Sequence, residues 1–298
     1  MKKVSFLLPI IAITIIFSSC QKTSDNNPTS TPKVNFIFKF DSTQVRLNGQ
    51  GNPAPVASGH KAQSPRFNKM SAHYLELTTN EFTLPGAGQV LYRAPEVTTG
   101  GSNAIDFNQS KFAGNNEVFL SVPLSQLAAG TYKNLRVSLA YQNYNVWTRV
   151  TAGSTSLMLD ATVASFIGFN TYISNYKIKD STVTENANKL QGYWAFETSI
   201  PGVGGYVTKG QAPAGATTVP NPLFASSPIP AGSCLVTGVF ASPLVITGTE
   251  TSDINIVVSL STNKSFEWID ADGNSTYDPQ AGDQVIDMGI RGMIPSKQ

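Results

Sequence analysis

The chain has 298 residues, enough for one large domain or two smaller ones, and only 13% of them are charged, with 21 basic and 19 acidic side chains. This near-neutral balance argues against a nucleic-acid binder or a polybasic membrane-surface module, both of which need a basic stripe. The composition is rich in Ser, Thr, Asn, Gly and Pro and poor in charged residues, which is typical of secreted β proteins rather than helical ones.

The N-terminus has the features of a bacterial secretion signal. Residues 1–3 are MKK, residues 4–17 form an uncharged apolar stretch, and Ser18 and Ser19 precede Cys20. This order predicts a signal peptide over residues 1–19. The segment FSSC resembles the bacterial lipobox, which implies acylation of Cys20 after cleavage; ordinary cleavage, with no role for Cys20, is the alternative. The apolar stretch is shorter than the about 20 residues of a spanning helix.

Cleavage would remove Lys2 and Lys3 and no acidic residue, leaving 19 basic and 19 acidic side chains. A formally neutral body has little electrostatic attraction to a membrane, so the predicted attachment is the lipid. A polar linker fills residues 20–33. Gln21 provides no acidic retention signal after Cys20, so we expect the outer membrane, on its periplasmic or cell-surface face.

The body, residues 34–298, has the alternation of β-strands. In residues 34–40, Val34, Phe36, Phe38 and Phe40 share one predicted face. Strands bounded by Gly, Pro or Asn clusters predict a mainly β, antiparallel β-sandwich, immunoglobulin-like or jelly-roll-like, with few or no helices. The further predicted strands are residues 74–77, 90–92, 117–122, 135–141, 157–163, 193–198, 235–240, 244–246, 254–260 and 266–268.

Two other segments bear on domain organisation. Residues 124–129 give the only helical signal of the sequence, a short turn ended by Gly130. The sequence therefore lacks the alternating strands and helices of a doubly wound sheet. The Pro/Gly-rich segment 201–230 could separate two packed halves, or belong to a single elaborated unit. Its GVGGY sequence predicts a loop, because no helix pattern follows that would make it a phosphate-binding turn.

The two histidines of the chain, His60 and His73, flank Met70. Imidazole and thioether are copper ligands, so the three residues form a candidate copper site. The alternative is that the histidines are hydrogen-bonded structural residues and Met70 fills a gap in the core.

Aromatic and amide side chains mingle in YQNYNVW, residues 141–147, as they do on sugar-binding surfaces. Tyr141, Tyr144 and Trp147 are therefore candidate ligand-binding residues. Strand alternation places Tyr144 on the face opposite Tyr141 and Trp147, which favours core and rim packing as the alternative.

Cysteine use is minimal, with Cys20 and Cys234 alone. If Cys20 is a thioether, Cys234 has no intramolecular partner and no disulfide framework is possible. Cys234 opens an apolar run, which predicts a small buried hydrophobic residue rather than a nucleophile or a metal ligand.

An acidic loop near the C-terminus has oxygen-bearing side chains at every second position. Calcium takes six to eight oxygen ligands, and such spacing can direct several of them to one centre. The loop resembles the calcium loops of cell-surface β domains, which implies a structural calcium ion; a solvated hairpin turn is the alternative. The candidate ligands are Asp270, Asp272, Asn274, Thr276, Asp278 and Asp283.

Catalytic motifs are missing from the sequence, which contains no GxSxG, HExxH or CxxC. Four glutamates lie in or beside predicted strands, as paired carboxylates of a glycan-active enzyme would, but no feature selects two of them. They are Glu76, Glu117, Glu197 and Glu267. We therefore predict no catalytic residues and keep a glycan-active enzyme as an alternative.

Several segments, including GTYKNLRVSLAYQNY, QGYWAFET, IPAGSCLVTG and NKSFEWIDADGN, together resemble uncharacterised lipoproteins of Bacteroidota. The order of the GTYKNLR, GYW and GSC segments also resembles the methanobactin-associated periplasmic copper-binding domain, which implies copper as an alternative cofactor to calcium. The sequence thus predicts a lipid-anchored, non-catalytic β domain that binds a small ligand, a glycan or a protein, and no nucleic acid. A copper-binding lipoprotein is the first alternative.

Overall fold

The computed structural model describes residues 31–48, 51–212, 225 and 227–298, so the predicted signal peptide, Cys20 and most of the linker lie outside the described residues. Residues Thr31–Gln298 form one compact unit. In the described ranges, no helix is long and apolar enough to cross a membrane. Helical structure there is confined to short 3-10 turns, which include Phe107–Gln109, Leu124–Gln126 and Pro279–Ala281.

The fold is mainly β, as predicted, and its sheets pack as a β-sandwich with two additional sheets. Its strands are β1 (Lys33–Asp41), β2 (His60–Gln63), β3 (Arg66–Thr78), β4 (Gln89–Arg93), β5 (Glu96–Val97), β6 (Ala104–Asp106), β7 (Glu117–Pro123), β8 (Gly130–Ala152), β9 (Thr155–Phe166), β10 (Asn170–Lys177), β11 (Thr182–Leu190), β12 (Tyr193–Ile200), β13 (Gly204–Gln211), β14 (Cys234–Ile246), β15 (Ile254–Ser261), β16 (Phe266–Ile269), β17 (Gln284–Asp287) and β18 (Met293–Lys297).

The sandwich core lies between two sheets. The first sheet has the order β18-β15-β1-β7, and the central sheet has the order β13-β12-β9-β8-β3-β4 with β14 also paired to β8. Alternation decides which side chains enter the core: Val34, Phe36 and Phe38 are fully buried, and they pack in one cluster with Leu75 of β3 and Val137 of β8. Burial of such side chains contributes about 1.5–3 kcal/mol each.

Strand β8 is 23 residues long and continues beyond the sandwich. Around Tyr141 and Tyr144 it is covered on both faces. A second sheet, β11-β10-β6-β5, packs around Tyr141 and Phe166 on one face, and a third sheet, β17-β16-β2, packs around Tyr144 and Trp268 on the other. The two-residue repeat of a strand explains why Tyr141 and Tyr144 enter different clusters.

The structure corrects several details of the prediction. Strand β1 pairs in parallel with β15, and β6 in parallel with β10, whereas we expected only antiparallel pairs. These partners are distant in sequence, so no hairpin turn imposes antiparallel pairing on them. Predicted strands 235–240 and 244–246 form the single strand β14, with a bulge between Val239 and Leu244. In segment 201–230, Gly204–Gln211 is not a loop but strand β13, paired along β12; residues 213–224 and 226 lie outside the described residues.

The start of β1 and the far part of β8 lie at opposite ends of the unit. Lys33 begins β1 beside Pro123, and β8 begins only seven residues later, at Gly130. From Gly130, β8 runs to Trp147, a contour of roughly 55 Å at the usual rise of a strand. Side chains near Trp147 are therefore far from the point at which the chain enters the fold.

Candidate functional site

The acidic loop follows β16 and folds through local turns. Gly273 and Gly282 have φ angles of 74° and 97°, in the left-handed region that glycine adopts without strain. The loop packs on the far part of β8: the Arg149 amide donates to the Tyr277 carbonyl at 2.8 Å, and the Thr151 amide donates to Gln280 Oε1 at 2.6 Å. The loop thus braces the end of the longest strand.

Three of the six predicted calcium ligands come together in this loop. Carboxylate oxygens of Asp270, Asp272 and Asp283 all lie within 4.8 Å of one another. Asp283 is buried and accepts backbone hydrogen bonds from Ala271 at 2.8 Å and Asp278 at 2.7 Å, which fix its carboxylate. These bonds leave lone pairs on each carboxylate for a cation.

The other three predicted ligands stabilise turns. Asp278 accepts hydrogen bonds from the backbone amides of Gln280 and Ala281 and so caps a 3-10 turn. Asn274 Oδ1 accepts the Thr276 amide at 2.7 Å, and Thr276 Oγ1 accepts a long bond from Arg149. Their side-chain oxygens are thus engaged within the loop or with β8.

The carboxylates of this cluster have no cationic partner in the described part of the chain. None of the ion pairs found among the described residues includes Asp270, Asp272 or Asp283. Asp270 Oδ1 is buried and has no hydrogen-bond partner in the described ranges. Three neighbouring negative charges repel one another, and a divalent cation with oxygen ligands would relieve that repulsion.

His60 lies in a buried ionic network rather than beside other candidate copper ligands. Its Nδ1 is 2.6 Å from Glu267 Oε1, and the other oxygen of Glu267 accepts hydrogen bonds from Arg46 and Arg291. Arg291 also pairs with Asp287. Burial raises the pKa of the Asp287 carboxyl above its ordinary value, against the opposing effect of Arg291.

His73 and Met70 occupy two further environments. His73 is buried in β3 with its Nε2 at 2.9 Å from Glu96 Oε1, and Met70 is fully buried in the sandwich core. The hydrogen bond from His73, together with Asn103 and Arg93, lowers the pKa of Glu96 to about 2. The structure therefore gives each histidine its own carboxylate, on different strands, and does not bring the three candidate copper ligands together.

The three candidate ligand-binding aromatic residues differ in their exposure to solvent. Tyr141 and Tyr144 are fully buried, in the clusters on opposite faces of β8, so neither offers a ring to a ligand. They pack in the core because the second and third sheets cover them. Trp147 is 48% exposed, and it lies where β8 extends beyond the second sheet.

An ordered polar network surrounds Trp147 on one face of the central sheet; we call Arg66, Asn68, Asn145, Trp147 and Asp160 the open face. Register places Arg66 opposite Asn145 and Trp147 opposite Asp160. Arg66 pairs with Asp160, and its guanidinium carbon lies 4.9 Å from the centre of the Trp147 ring. Asn145 donates to Asp160 at 3.0 Å, and Asn68 donates to Asn145 at 2.6 Å.

A cleft of about 260 Å³ lies on the face of β3 opposite the open face, and Arg66, at a part of β3 that is not paired with β4, is common to both. It lies at one end of the sandwich, between the end of β1 and the start of β3. Two partly buried rings, Phe40 and Phe67, line it with their centres 5.3 Å apart. Its other lining groups are mostly polar, namely Ser42, Ser64, Asn115 and Thr262, with Pro65 beside them.

The glutamates that could have served a glycan-active enzyme have structural contacts. Glu76 is fully buried and accepts the amides of Gly86 and Gly88, while Glu267 belongs to the arginine network. Burial alone would raise the pKa of Glu197, but hydrogen bonds from residues 179–181 outweigh it and lower that pKa. Glu117 is exposed and accepts the Gly114 amide.

Cys234 is a free, buried cysteine, as the sequence indicated. Burial raises the pKa of its thiol to about 12, so the thiolate needed for nucleophilic attack or metal binding is disfavoured.

Sequence reasoning missed most of the open face. Arg66 and Asp160 are 94 residues apart and meet only because β3 and β9 flank β8, so no local motif reveals them. No protein-family model, curated protein or solved structure matches the chain.

Proposed function

We propose that this protein is a membrane-anchored extracytoplasmic lipoprotein whose β domain binds a ligand or partner without catalysing a reaction, and whose acidic loop holds a structural calcium ion. The observation that best supports it is the acidic loop itself. Its clustered carboxylates have no described cationic partner, and the loop is bonded to the strand that bears the open face.

Two features support the anchor. Residues 1–19 have the order of a lipoprotein signal, and the only other cysteine is buried in β14 with its thiol free. Cys20 therefore has a role as the lipid attachment point and none as a partner of Cys234. Lys33, where β1 begins, lies at the end of the described unit opposite Trp147.

Binding rather than catalysis is supported by where the reactive groups lie. The buried glutamates, both histidines and Cys234 are each held in structural contacts or buried away from solvent. The polar groups that remain accessible, on the open face and in the cleft, are amides, hydroxyls and the ion pair of Arg66 with Asp160. Such groups orient a ligand by hydrogen bonds.

Calcium bound in the loop would increase the free energy of unfolding of the domain. A ligand that binds only the folded state adds about 2.7 kcal/mol when its concentration is one hundred times its Kd. For a domain of this size, that corresponds to a rise in Tm of roughly 5–10 °C. The stabilisation would act on Thr148–Thr151 of β8, to which the loop is hydrogen-bonded.

The test is thermal melting of the protein in calcium and in EDTA. We expect calcium to raise the Tm of the wild type by several degrees and the D272N variant, which removes an exposed carboxylate of the cluster, to lose most of that rise. D180N, an exposed aspartate outside the loop, is the matched control and should keep it. Equal Tm values in calcium and EDTA would refute the calcium site.

A further inference from the structure

The open face differs from the rest of the described surface in combining a half-exposed tryptophan with side chains that are already fixed. Arg66, Asn68, Asn145 and Asp160 are joined by hydrogen bonds or ion pairs, and Arg66 stacks on Trp147. Side chains that are ordered before binding lose little conformational entropy when a ligand arrives. This arrangement is therefore suited to recognition.

The charges of the open face cancel. Arg66 and Asp160 neutralise one another, and the two asparagines add uncharged donors and acceptors. A nucleic acid would require unpaired basic groups, and an anionic ligand would have to displace Asp160 from Arg66. A large protein interface would be expected to have a drier, more apolar centre than one tryptophan among polar groups. The face therefore matches a neutral ligand rich in hydroxyl groups.

Sugar rings have this chemistry. Each ring presents C–H groups that pack on an aromatic side chain, and hydroxyls that both donate and accept hydrogen bonds. The cleft offers the same combination, with Phe40 and Phe67 beside Ser42, Ser64 and Thr262. Its volume of about 260 Å³ lies just below the about 300–1,000 Å³ of drug-sized pockets, a size for one ring rather than a chain.

We infer that the open face and the cleft together bind a neutral oligosaccharide that passes over the edge of β3 at Arg66, with one sugar residue in the cleft and another against Trp147. Arg66 lines the cleft and stacks on Trp147, and it lies at the edge of β3 that separates the two sugar positions. This inference rests on the proposed function of the domain as a binding module and specifies the class of its ligand.

The test is calorimetric titration of the full-length protein in detergent with neutral hexasaccharides of glucose, mannose, xylose and N-acetylglucosamine, and with polygalacturonate as an anionic probe. At least one neutral hexasaccharide should bind, and its monosaccharide should bind at least about tenfold more weakly, because it fills only one of the two positions. W147A should weaken hexasaccharide binding by about tenfold or more. S42W, which fills the cleft, should do the same.

Matched control variants distinguish a specific loss of hexasaccharide binding from a general loss of folding. Y206A removes a similarly exposed aromatic on β13, and S252W adds a tryptophan at an exposed serine away from the cleft; both should bind as the wild type does. Thermal melting confirms that each variant is folded. Calcium-dependent melting serves as an independent readout of the proposed function.

Three results would overturn the glycan assignment: no neutral hexasaccharide binds, W147A and S42W bind like the wild type, or polygalacturonate binds more tightly than every neutral probe. If a photo-crosslinker at position 147 captures a protein while all sugars fail, the glycan assignment falls and the binding function stands. If the sugars fail, no partner is captured and calcium leaves the Tm unchanged, both proposals fall.

Discussion

Replacing Glu267 with glutamine should destabilise the protein strongly. The Glu267 carboxylate, only 5% exposed, is the common partner of Arg46, Arg291 and His60. Glutamine preserves the size of the side chain and removes its negative charge. Arg46, 9% exposed, is then left buried without its ion-pair partner, whereas Arg291 keeps Asp287.

Removing one member of a buried ion pair costs about 3–5 kcal/mol, because the remaining charge stays desolvated. We therefore expect the free energy of unfolding of E267Q to fall by that amount, and its Tm by roughly 6–20 °C. The network joins β2 and β16 of the third sheet to the segment that contains Arg46, so the loss acts on contacts distant in sequence.

Urea denaturation followed by circular dichroism measures this change. E81Q, at an exposed glutamate, is the control and should stay within about 0.5 kcal/mol of the wild type. Adding R46M to E267Q should restore part of the loss, because the unpaired buried charge is removed. A Tm and unfolding free energy of E267Q equal to those of E81Q would refute the network as a source of stability.

Two further predictions concern titration and thiol chemistry. The pKa of Glu96 is lowered from 4.5 to about 2, so the stabilising contribution of its carboxylate is complete above pH 4.5 and is lost as the pH falls toward 2. The urea midpoints of the wild type and E96Q should therefore converge in that pH window. A constant difference between the two midpoints would contradict the assignment. If Cys20 carries the proposed lipid, the purified protein should show no thiol reactive to Ellman's reagent when native and one when unfolded, because Cys234 is buried. C20A should then abolish fatty-acid labelling and membrane association, and two thiols in the unfolded wild type would argue against lipidation.

The parts of the fold that were predicted are those in which one strand face is buried. Strand β1 shows this most clearly, because Val34, Phe36 and Phe38 alternate with more exposed residues. Strand β11 was missed because its sequence, TVTENANKL, has no apolar alternation, and it pairs only at the edge of the second sheet. The full length of β8 was missed because the strand is covered on both faces around Tyr141 and Tyr144, by sheets that the sequence does not reveal.

The candidate site also has parts that the sequence predicts and parts that it does not. The acidic loop was identified because Asp270, Asp272 and Asp283 lie close in sequence as well as in space. That His60 and His73 are hydrogen-bonded structural residues was one of the two interpretations of the sequence, but their carboxylate partners could not be predicted. His60 meets Glu267 across 207 residues, and His73 meets Glu96 only after two strands have paired. Long-range pairing of this kind is determined by topology rather than by local spacing.

Strand β8 contributes to three hydrophobic clusters, through Val137, Tyr141 and Tyr144 in turn. Loss of any one cluster would leave part of this strand without its packing partners, so the clusters depend on one another. We therefore expect the unit to unfold in a single cooperative transition. The second and third sheets should not persist as separate folding units, because each has its apolar partner on a strand that also belongs to the sandwich.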